Sequence, residues 1–326
     1  MTDTVAIASL LKEYAVRRRD AITLLAHRLG HSHHELFFRT HVDIPKSIRS
    51  FVHDEMRRLA SGEPISKIIQ RKEFYGIEFK TNEHTLDPRP ETELIVDLVT
   101  RLLLKSTQSE LLPGDTEHRS TVYSDVHEHS STGSTQQESR YGGGGRKTSD
   151  EHCSNFDECL TILDLGCGTG CIGLSLLTMY PNAVCSFVDI DAGALAVAAE
   201  NACNLGVGTR CEFILSDWFT NVSGTFDIIV CNPPYVSTNF ELDTATSFDP
   251  SVALFAGEDG MDAYAAILPK MKDFLNYNGK AFIEVGFDQS EKVINIEHGL
   301  HVMNISNDLS GIPRVITMCL CPSLAL

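Results

Sequence analysis

The sequence predicts an α/β protein in which a mostly parallel sheet, with helices on both faces, is preceded by a small all-helical domain and a β-hairpin linker. Three observations predict this fold class. Apolar residues recur at helical spacing over residues 1–65, short segments of residues 72–86 alternate in polarity, and strand-like and helix-like segments alternate after residue 160. Periods of 3.6 and 2 residues distinguish helices from strands, and their regular succession is typical of a parallel sheet.

The N-terminal stretch has the apolar spacing of helices and lacks strand alternation. Each group of apolar residues falls on one helix face, so the helices are expected to pack on one another. We therefore predict a helical domain over residues 1–70. The apolar positions are Ile7, Leu10, Leu11 and Tyr14, then Ile22, Leu25 and Leu29, then Ile48, Phe51, Val52 and Met56.

A hairpin linker is predicted for residues 71–87. Polar and apolar residues alternate here over short segments, and Gly76 and Asn82 are turn residues. The catalytic domain is then expected to occupy residues 88–326.

The catalytic domain begins with a helix and an insertion. Pro88 and Pro90 precede an acidic first turn, which marks the start of a helix that reaches Leu104. Residues 105–158 are rich in Ser, Thr, Gly, His and Glu and have almost no apolar periodicity. Such a segment buries too little apolar surface to offset its ordering entropy, so we predict a disordered insertion.

A regular alternation of strands and helices follows the insertion. It predicts a parallel sheet, in which ligands bind at the carboxyl ends of the strands. The predicted strands are residues 160–165, 184–188, 212–215, 226–230 and 281–285, and the predicted helices are residues 173–179, 192–204 and 264–275.

Composition and charge exclude several classes of protein. The 326 residues are 42% hydrophobic and 22% charged, which is an ordinary globular composition. A formal net charge of −17 disfavours a stable complex with nucleic acid, because the average surface repels phosphates. No apolar run approaches the roughly 20 residues that span a bilayer, and no signal-peptide order is present. Ten scattered cysteines without zinc spacing predict a cytoplasmic protein with reduced thiols and no metal site.

A glycine-rich turn, Gly166-Cys167-Gly168-Thr169-Gly170, follows the first strand of the sheet. Its glycines let a ligand approach the backbone, and the next helix offers free N–H groups. Asp189, at the end of the second strand, is positioned to accept hydrogen bonds from ribose hydroxyls. With Gly173, the turn also satisfies the dinucleotide pattern G-x-G-x-x-G, so the glycines alone are ambiguous. Asp164 favours S-adenosylmethionine, since its carboxylate attracts an ammonium group and repels a pyrophosphate.

The motif Asn232-Pro233-Pro234-Tyr235 directly follows a strand, at the end where ligands bind. The prolines fix the backbone and leave carbonyls as acceptors. If the Asn232 side-chain oxygen and the Pro233 carbonyl each accept one N–H of a planar amide or amino group, its nitrogen can direct a lone pair at a methyl donor. We therefore predict Asn232 and Pro233 as catalytic residues and all four residues as substrate-binding, with the Tyr235 ring forming a wall.

A second ligand contact is predicted in Ser216-Asp217-Trp218, which follows the preceding strand. Asp217 or its adjacent backbone is positioned to meet an adenine amino group. Trp218, the only tryptophan of the chain, can pack on the adenine ring, although a tryptophan buried in the core is an alternative.

With these motifs the chain resembles the HemK/PrmC family, the protein-(glutamine-N5) methyltransferases, over nearly its whole length outside residues 105–158. The Asn-Pro-Pro-Tyr motif is shared with adenine-N6 methyltransferases, whereas the Pro88-Arg89-Pro90-Glu91-Thr92-Glu93 block combined with a helical N-terminus indicates the glutamine enzymes. The segments that carry the resemblance are Pro64 with residues 71–76, residues 88–93, residues 164–170, residues 232–235, residues 250–260 and residues 308–314.

The resemblance implies a Rossmann-like methyltransferase fold with a mostly parallel seven-stranded sheet. It implies methyl transfer from S-adenosylmethionine to the side-chain amide nitrogen, N5, of the glutamine in the Gly-Gly-Gln motif of peptide chain release factors. In the family the helical domain contacts the release factor, so residues 1–70 are expected to recognise the substrate. The expected S-adenosylmethionine residues are Asp164, Gly166, Cys167, Gly168, Thr169, Gly170, Asp189, Asp217, Trp218 and Asn232.

Two departures and three rival functions stay open. The insertion is unusual, and Asp87 replaces an aliphatic residue of the family, which leaves the packing of residues 88–91 open. Arg89 and Glu91 are either an ion pair at a helix start or substrate contacts. An adenine-N6 methyltransferase acting on DNA or RNA is expected to carry a basic recognition region, which the sequence lacks. A nicotinamide-dependent oxidoreductase would need an acid or base for hydride transfer, and the sequence offers no compelling candidate. A non-catalytic binding protein would need no such group.

Overall fold

The N-terminal region combines five helices with two short strands in the computed structural model, which describes residues 2–109 and 159–320. Its helices bury one apolar cluster that includes Leu25, Leu36 and Met56. The strands are β1 (Thr2–Ala6) and β2 (His41–Pro45), and the helices are α1 (Ile7–Tyr14), α2 (Arg18–Leu29), α3 (His33–Phe37), α4 (Arg49–Ala60) and α5 (Ile65–Ile69).

The expectation of an all-helical N-terminal region is corrected by β1 and β2, which pair in an antiparallel ladder. The physical reason is visible in β2, where Val42 and Ile44 are buried and their neighbours His41 and Asp43 are exposed. This period of two is the strand pattern, and it is confined to five residues.

The predicted hairpin is present as β3 (Arg71–Phe74) and β4 (Ile77–Lys80). Tyr75 and Gly76 form its two-residue turn, and both have φ above +50°. Two successive positive φ values are typical of a type I′ turn, whose twist matches that of a hairpin.

The helix that follows the linker is longer than predicted. A short 3-10 helix, Pro90–Thr92, leads into α6 (Glu93–Ser109), which passes the predicted end at Leu104. Residues 110–158, which make up most of the predicted insertion, lie outside the described residues.

The predicted α/β sheet is confirmed, with seven strands in the order β10-β11-β9-β8-β5-β6-β7. Strands β5 to β9 are parallel, and β10 and β11 add antiparallel pairs beside β9. The strands are β5 (Thr161–Leu165), β6 (Val184–Asp189), β7 (Cys211–Leu215), β8 (Phe226–Cys231), β9 (Leu275–Glu284), β10 (His301–Asn307) and β11 (Pro313–Cys319).

Helices cover both faces of the sheet, as predicted. One apolar cluster joins one face to α6, α7 (Cys171–Met179) and α8 (Ala192–Asn204), and a second joins the other face to α9 (Asp262–Met271) and α10 (Ser290–Ile294). The order β8-β5-β6 places the ends of the three strands side by side. Their carboxyl ends carry the two predicted ligand motifs and Asp189.

The predicted helix end at Leu275 is also wrong, because α9 ends at Met271 and Leu275 already belongs to β9. Pro269 lies inside α9 near its end, and a short 3-10 helix, Lys272–Phe274, connects it to the strand. Among the described residues, no helix has the length and apolar character needed to cross a membrane.

Candidate active site

The glycine turn between β5 and α7 is held against the neighbouring strand. The N–H groups of Gly166 and Cys167 both donate to the Val188 carbonyl, at 2.8 and 2.9 Å. Gly166 and Gly168 have φ of +76° and +54°, a conformation that costs little only for glycine. The turn therefore presents its backbone, rather than side chains, to the space at the ends of the strands.

Two acidic residues continue this surface at the end of β6. Asp189 accepts the Gly168 N–H at 2.8 Å and the Asp191 N–H at 3.0 Å, and burial raises the pKa of its carboxyl. Asp191 caps the first turn of α8 by accepting the Gly193 N–H, and its other oxygen lies 2.9 Å from Nδ1 of His84. The carboxyl of Asp189 therefore fixes the glycine turn as well as facing the same space.

Trp218 lies opposite the glycine turn in an unusual backbone conformation. Its φ is +48°, and Ser216 holds that conformation by donating its hydroxyl to the Trp218 carbonyl at 2.8 Å. A Cβ built on Gly166 would lie 3.4 Å from the Trp218 ring, so the ring and the turn are in close approach. Asp217 is exposed and lines the same space.

Asn232 follows the end of β8, and its side chain is anchored by the short 3-10 helix that precedes α6. Its Nδ2 donates to the hydroxyl oxygen of Thr92 at 3.1 Å. Tyr235 is fixed in two places, since its hydroxyl donates to Glu284 at 3.3 Å and its carbonyl accepts from Gln289 at 3.0 Å. The motif is therefore held by side chains from three other segments of the chain.

Glu284 lies beneath the motif and is fully buried. Burial raises the pKa of its carboxyl to about 7, although the nearby Thr92 and Tyr235 hydroxyls and the Arg314 guanidinium act in the opposite direction. One of its oxygens, Oε2, has no hydrogen-bond partner among the described residues. The ionised form is therefore poorly compensated at this position.

A second buried cluster joins the N-terminal region to the site, and we call Lys67, Asp87, Arg89 and Asp249 the junction cluster. The Lys67 ammonium lies 2.9 Å from Asp249 and 3.4 Å from Asp87. Asp249 also accepts from the Arg89 guanidinium at 2.7 Å and from the Asp87 N–H at 3.1 Å. Asp87 is thus accommodated by charge and hydrogen bonds where the family pattern has an aliphatic residue. Arg89 pairs with Asp249, and no ion pair joins Arg89 to Glu91 among the described residues, so the first of the two alternatives for Arg89 and Glu91 is not formed.

Two adjoining cavities meet at Asn232. The larger, of about 340 Å³, is bordered by the glycine turn, the acids after β6, residues 216–218 and Pro234. The smaller, of about 250 Å³, is bordered by Pro233, Tyr235 and Glu91. Leu86, Arg89, Asn232 and Ala253 line both cavities.

Most of the predicted ligand residues are therefore brought together, and two are not. Gly166, Cys167, Gly168 and Thr169, as well as Asp189, Asp217, Trp218 and Asn232, line the larger cavity. Gly170 and Asp164 line neither cavity.

Asp164 lies beneath the glycine turn and faces α7. One of its oxygens accepts the Gly173 N–H at 2.9 Å, and the other, Oδ1, has no partner among the described residues. Burial raises the pKa of this carboxyl to about 7. Direct contact with a ligand ammonium group remains a prediction, and the observed role of Asp164 is to tie β5 to the start of α7.

Several residues of the site were missed in the sequence. Thr92 and Glu284 anchor the motif, and His84 borders the larger cavity beside Asp191. A signal existed for Glu284, because this acidic residue directly follows the apolar run Ala281-Phe282-Ile283 in the second half of β9. No group of three or more His, Cys, Asp or Glu side chains that would hold a metal is present among the described residues.

Comparison with known proteins places this site in a methyltransferase domain. Residues 151–248 match the model of the methyltransferase small domain family. Among solved structures, the chain is similar to TrmN from Thermus thermophilus, with 17% identity over 50% of this chain and 44% of that chain and a TM-score of 0.38.

Curated relatives extend the match to most of the chain. A bifunctional methyltransferase of Rickettsia bellii (strain RML369-C) is 34% identical over 92% of this chain, which spans about half, 51%, of that longer protein. A release factor glutamine methyltransferase of Agrobacterium fabrum (strain C58 / ATCC 33970) is 32% identical over 91% of this chain and 89% of its own length. With this identity over nearly the full length of both proteins, the chain belongs to the release factor glutamine methyltransferase family, HemK/PrmC.

Proposed function

We propose that the protein transfers a methyl group from S-adenosylmethionine to the side-chain amide nitrogen, N5, of the glutamine in the Gly-Gly-Gln motif of peptide chain release factors. One observation carries the proposal. Asn232 lines both cavities, and the hydrogen bond of its Nδ2 to Thr92 leaves the amide oxygen available to a substrate N–H. An acceptor at this junction is what methylation of an amide nitrogen requires.

The larger cavity fits S-adenosylmethionine in size and charge. Its volume of about 340 Å³ is in the range of small-molecule sites, roughly 300–1,000 Å³. The carboxylates of Asp189, Asp191 and Asp217 border it, and they would repel the pyrophosphate of a nicotinamide dinucleotide. A ligand with ammonium and sulfonium charges suits this wall better, with Trp218 providing a flat apolar surface.

The smaller cavity is suited to the acceptor side chain. Pro233 and Tyr235 border it, and the Tyr235 ring is held by its hydrogen bond to Glu284. A glutamine amide entering from this side would reach Asn232, where the side-chain oxygen and the Pro233 carbonyl accept its two N–H groups. Those bonds hold the nitrogen with its lone pair directed toward the larger cavity.

The reaction needs positioned acceptors more than a strong base. When bound, S-adenosylmethionine supplies an activated methyl group whose carbon–sulfur bond breaks with its electron pair going to sulfur. The glutamine nitrogen forms the new carbon–nitrogen bond and becomes acidic. The Asn232 oxygen and the Pro233 carbonyl then face an N–H whose proton leaves to water, so the charges balance without a further co-reactant.

Substrate recognition by residues 1–70 remains part of this proposal. The junction cluster supports it, because Lys67 of α5 bonds directly to Asp249 beside the cavities. Through this cluster the N-terminal region is joined to Asp87 and Arg89, which line the larger cavity. The lack of a stable nucleic-acid partner is a further part of the proposal, supported by the formal net charge of −17. A cytoplasmic location, expected from the scattered cysteines, stays a prediction.

The test is transfer of labelled methyl from S-adenosylmethionine to three acceptors: a purified release factor, its Gly-Gly-Gln→Gly-Gly-Ala variant, and duplex DNA. We expect label on the intact release factor and none on the variant. Label on DNA alone would overturn the proposal in favour of adenine methylation. Equal label on both release factors would place the modification at another residue.

A further inference from the structure

The larger cavity combines an acidic wall with an arginine. Among the described residues, Arg89 is the only arginine or lysine that borders either cavity. A ligand anion that enters this space is therefore repelled by most of the wall and attracted by one side chain. The aspartates that border the larger cavity are Asp87, Asp189, Asp191, Asp217 and Asp262.

The side chain of Arg89 is held in place and keeps unused donors. Its Nη2 donates to Asp249 at 2.7 Å, and Asp249 is itself fixed by the Lys67 ammonium at 2.9 Å. A guanidinium carries several N–H groups, and within the described part of the chain the bond to Asp249 is the one that the Arg89 side chain makes. The side chain is 33% exposed. It can therefore bind a second anion without leaving Asp249.

His84 is the other side chain of this wall that can carry a positive charge, and it already has a partner. Its Nδ1 lies 2.9 Å from a carboxyl oxygen of Asp191, and this hydrogen bond raises the pKa of the imidazole. His84 borders the larger cavity alone, whereas Arg89 borders both cavities. Of the two, only Arg89 shares with Asn232 the place where the cavities adjoin.

S-adenosylmethionine brings one anionic group into this acidic space. Its ammonium and sulfonium groups suit the aspartates, whereas its carboxylate does not. Only a short carbon chain separates the sulfonium from the carboxylate, so a donor that directs its methyl group at Asn232 keeps its carboxylate near the junction of the two cavities. On the side of the smaller cavity, Glu91 would repel that carboxylate. Arg89 is the complementary side chain at this junction.

We propose that Arg89 binds the carboxylate of S-adenosylmethionine, and that Asp249 holds the guanidinium so that its remaining N–H groups are offered to this anion. Charge-assisted hydrogen bonds of this kind are stronger than neutral ones. The inference rests on the part of the proposed function that names S-adenosylmethionine as the donor, and it holds for any methyl acceptor. Arg89 is then a contact of the donor and not of the acceptor.

The test measures binding without any methyl transfer. Calorimetry on the full-length protein compares S-adenosylmethionine with decarboxylated S-adenosylmethionine, which lacks only the carboxylate. Arg89→Met should weaken binding of S-adenosylmethionine by roughly 10- to 100-fold, the loss expected for a hydrogen bond between charged groups. The same variant should bind the decarboxylated ligand as tightly as the wild type or more tightly, because a positive charge that repels this ligand has been removed.

Two further variants serve as controls. Arg71→Met removes an arginine of the hairpin linker that pairs with Glu78 and borders neither cavity, so it should bind both ligands like the wild type. Arg89→Lys keeps the charge and loses the planar fork, so its loss of affinity for S-adenosylmethionine should be smaller than that of Arg89→Met. If Arg89→Met does not fold, Arg89→Lys decides the result by the same comparison of the two ligands.

The outcomes separate this inference from the proposed function. An equal loss of affinity for both ligands in Arg89→Met, or no loss for either, would overturn the carboxylate contact even if the wild type methylates release factors. A wild type that binds neither ligand would overturn the donor and the proposed function together. A loss confined to S-adenosylmethionine would support the contact, and if the wild type then transfers no methyl group to a release factor, only the proposed acceptor is overturned.

Discussion

Two buried polar regions of the molecule differ in how completely their charges are paired. In the junction cluster, Lys67 lies between Asp87 and Asp249, and its ammonium also donates to the carbonyls of Asn82 and Thr85. Beneath the site, Asp164 and Glu284 are equally buried, yet each keeps one carboxyl oxygen without a partner among the described residues.

This difference shows what each region contributes. A buried charge with several partners is costly to disturb, so the junction cluster fixes the N-terminal region and the hairpin linker against the cavities. A buried carboxyl with few partners has a raised pKa and can change protonation near neutral pH. The junction cluster is thus suited to keeping the N-terminal region in place against the cavities. The carboxyls beneath the site are suited to changing their charge near neutral pH.

The largest expected effect comes from breaking the paired region. Lys67→Met leaves two buried carboxylates facing each other, so we expect the free energy of unfolding to fall by about 3–5 kcal/mol. Urea unfolding measures it. The control is Lys80→Met, since Lys80 pairs with Glu200 where both side chains are partly exposed, and its loss should stay below about 1 kcal/mol. Equal losses in the two variants would contradict the distinction between the regions.

The next effect concerns Asn232, which lines both cavities. Asn232→Ala should lower kcat by roughly 100-fold or more, because one preorganised polar contact in the transition state is lost. Affinity for S-adenosylmethionine should change little. Steady-state kinetics and calorimetry measure the two quantities, with the exposed Asn182→Ala as control. Near-normal turnover in Asn232→Ala would refute the proposed mechanism.

A smaller effect tests the raised pKa of Glu284. A carboxyl whose pKa is raised in the folded state stabilises the fold below its unfolded pKa, near 4.5, and this contribution is lost as the pH rises through about 7. From pH 5 to pH 8 the wild type should therefore lose about 2 kcal/mol more stability than Glu284→Gln. Urea unfolding at both pH values measures the difference, and exposed Glu200→Gln should follow the wild type. Parallel behaviour of Glu284→Gln and the wild type would argue against the shift.

The smallest effect is expected for a buried hydroxyl that makes no hydrogen bond within the described part of the chain. Thr100→Val replaces a buried hydroxyl that has no hydrogen-bond partner among the described residues by a methyl group of similar size. Its free energy of unfolding should change by less than about 1 kcal/mol, and in the stabilising direction. Thermal unfolding of Thr100→Val, with Thr92→Val measured in parallel, tests this prediction. A large loss in Thr100→Val would reveal a partner for this hydroxyl.

The parts of the fold that could be predicted are those whose signal is local. The glycine turn and the motif at residues 232–235 are contiguous in sequence, and their flanking strands are long enough to show periodicity. β1 and β2 were not predicted, because five residues give only two or three repeats of a period of two. The end of α9 was misplaced because the apolar residues of a helix and of the next strand adjoin there.

The residues of the site that face the ligand were predictable from the sequence. The residues that hold them in place were not. Thr92 and Asn232 are 140 residues apart in sequence, and a hydrogen bond between them leaves no local pattern. The direction of Asp164 was also hidden, because neighbouring residues of a strand point to opposite faces and the sequence does not say which face meets α7. Asp87 departs from the family pattern. Only the structure explains this departure, because it shows that Lys67 pairs with both Asp87 and Asp249.

The position of Trp218 also makes the protein suitable for optical measurements. It is the only tryptophan of the 326 residues, and its indole borders the larger cavity against the glycine turn. Emission excited at the red edge of the absorption band therefore comes from a single fluorophore at this cavity. Titrating the native chain with S-adenosylmethionine and following that emission would give a binding isotherm without any label, and every variant that keeps Trp218 can be compared on the same scale.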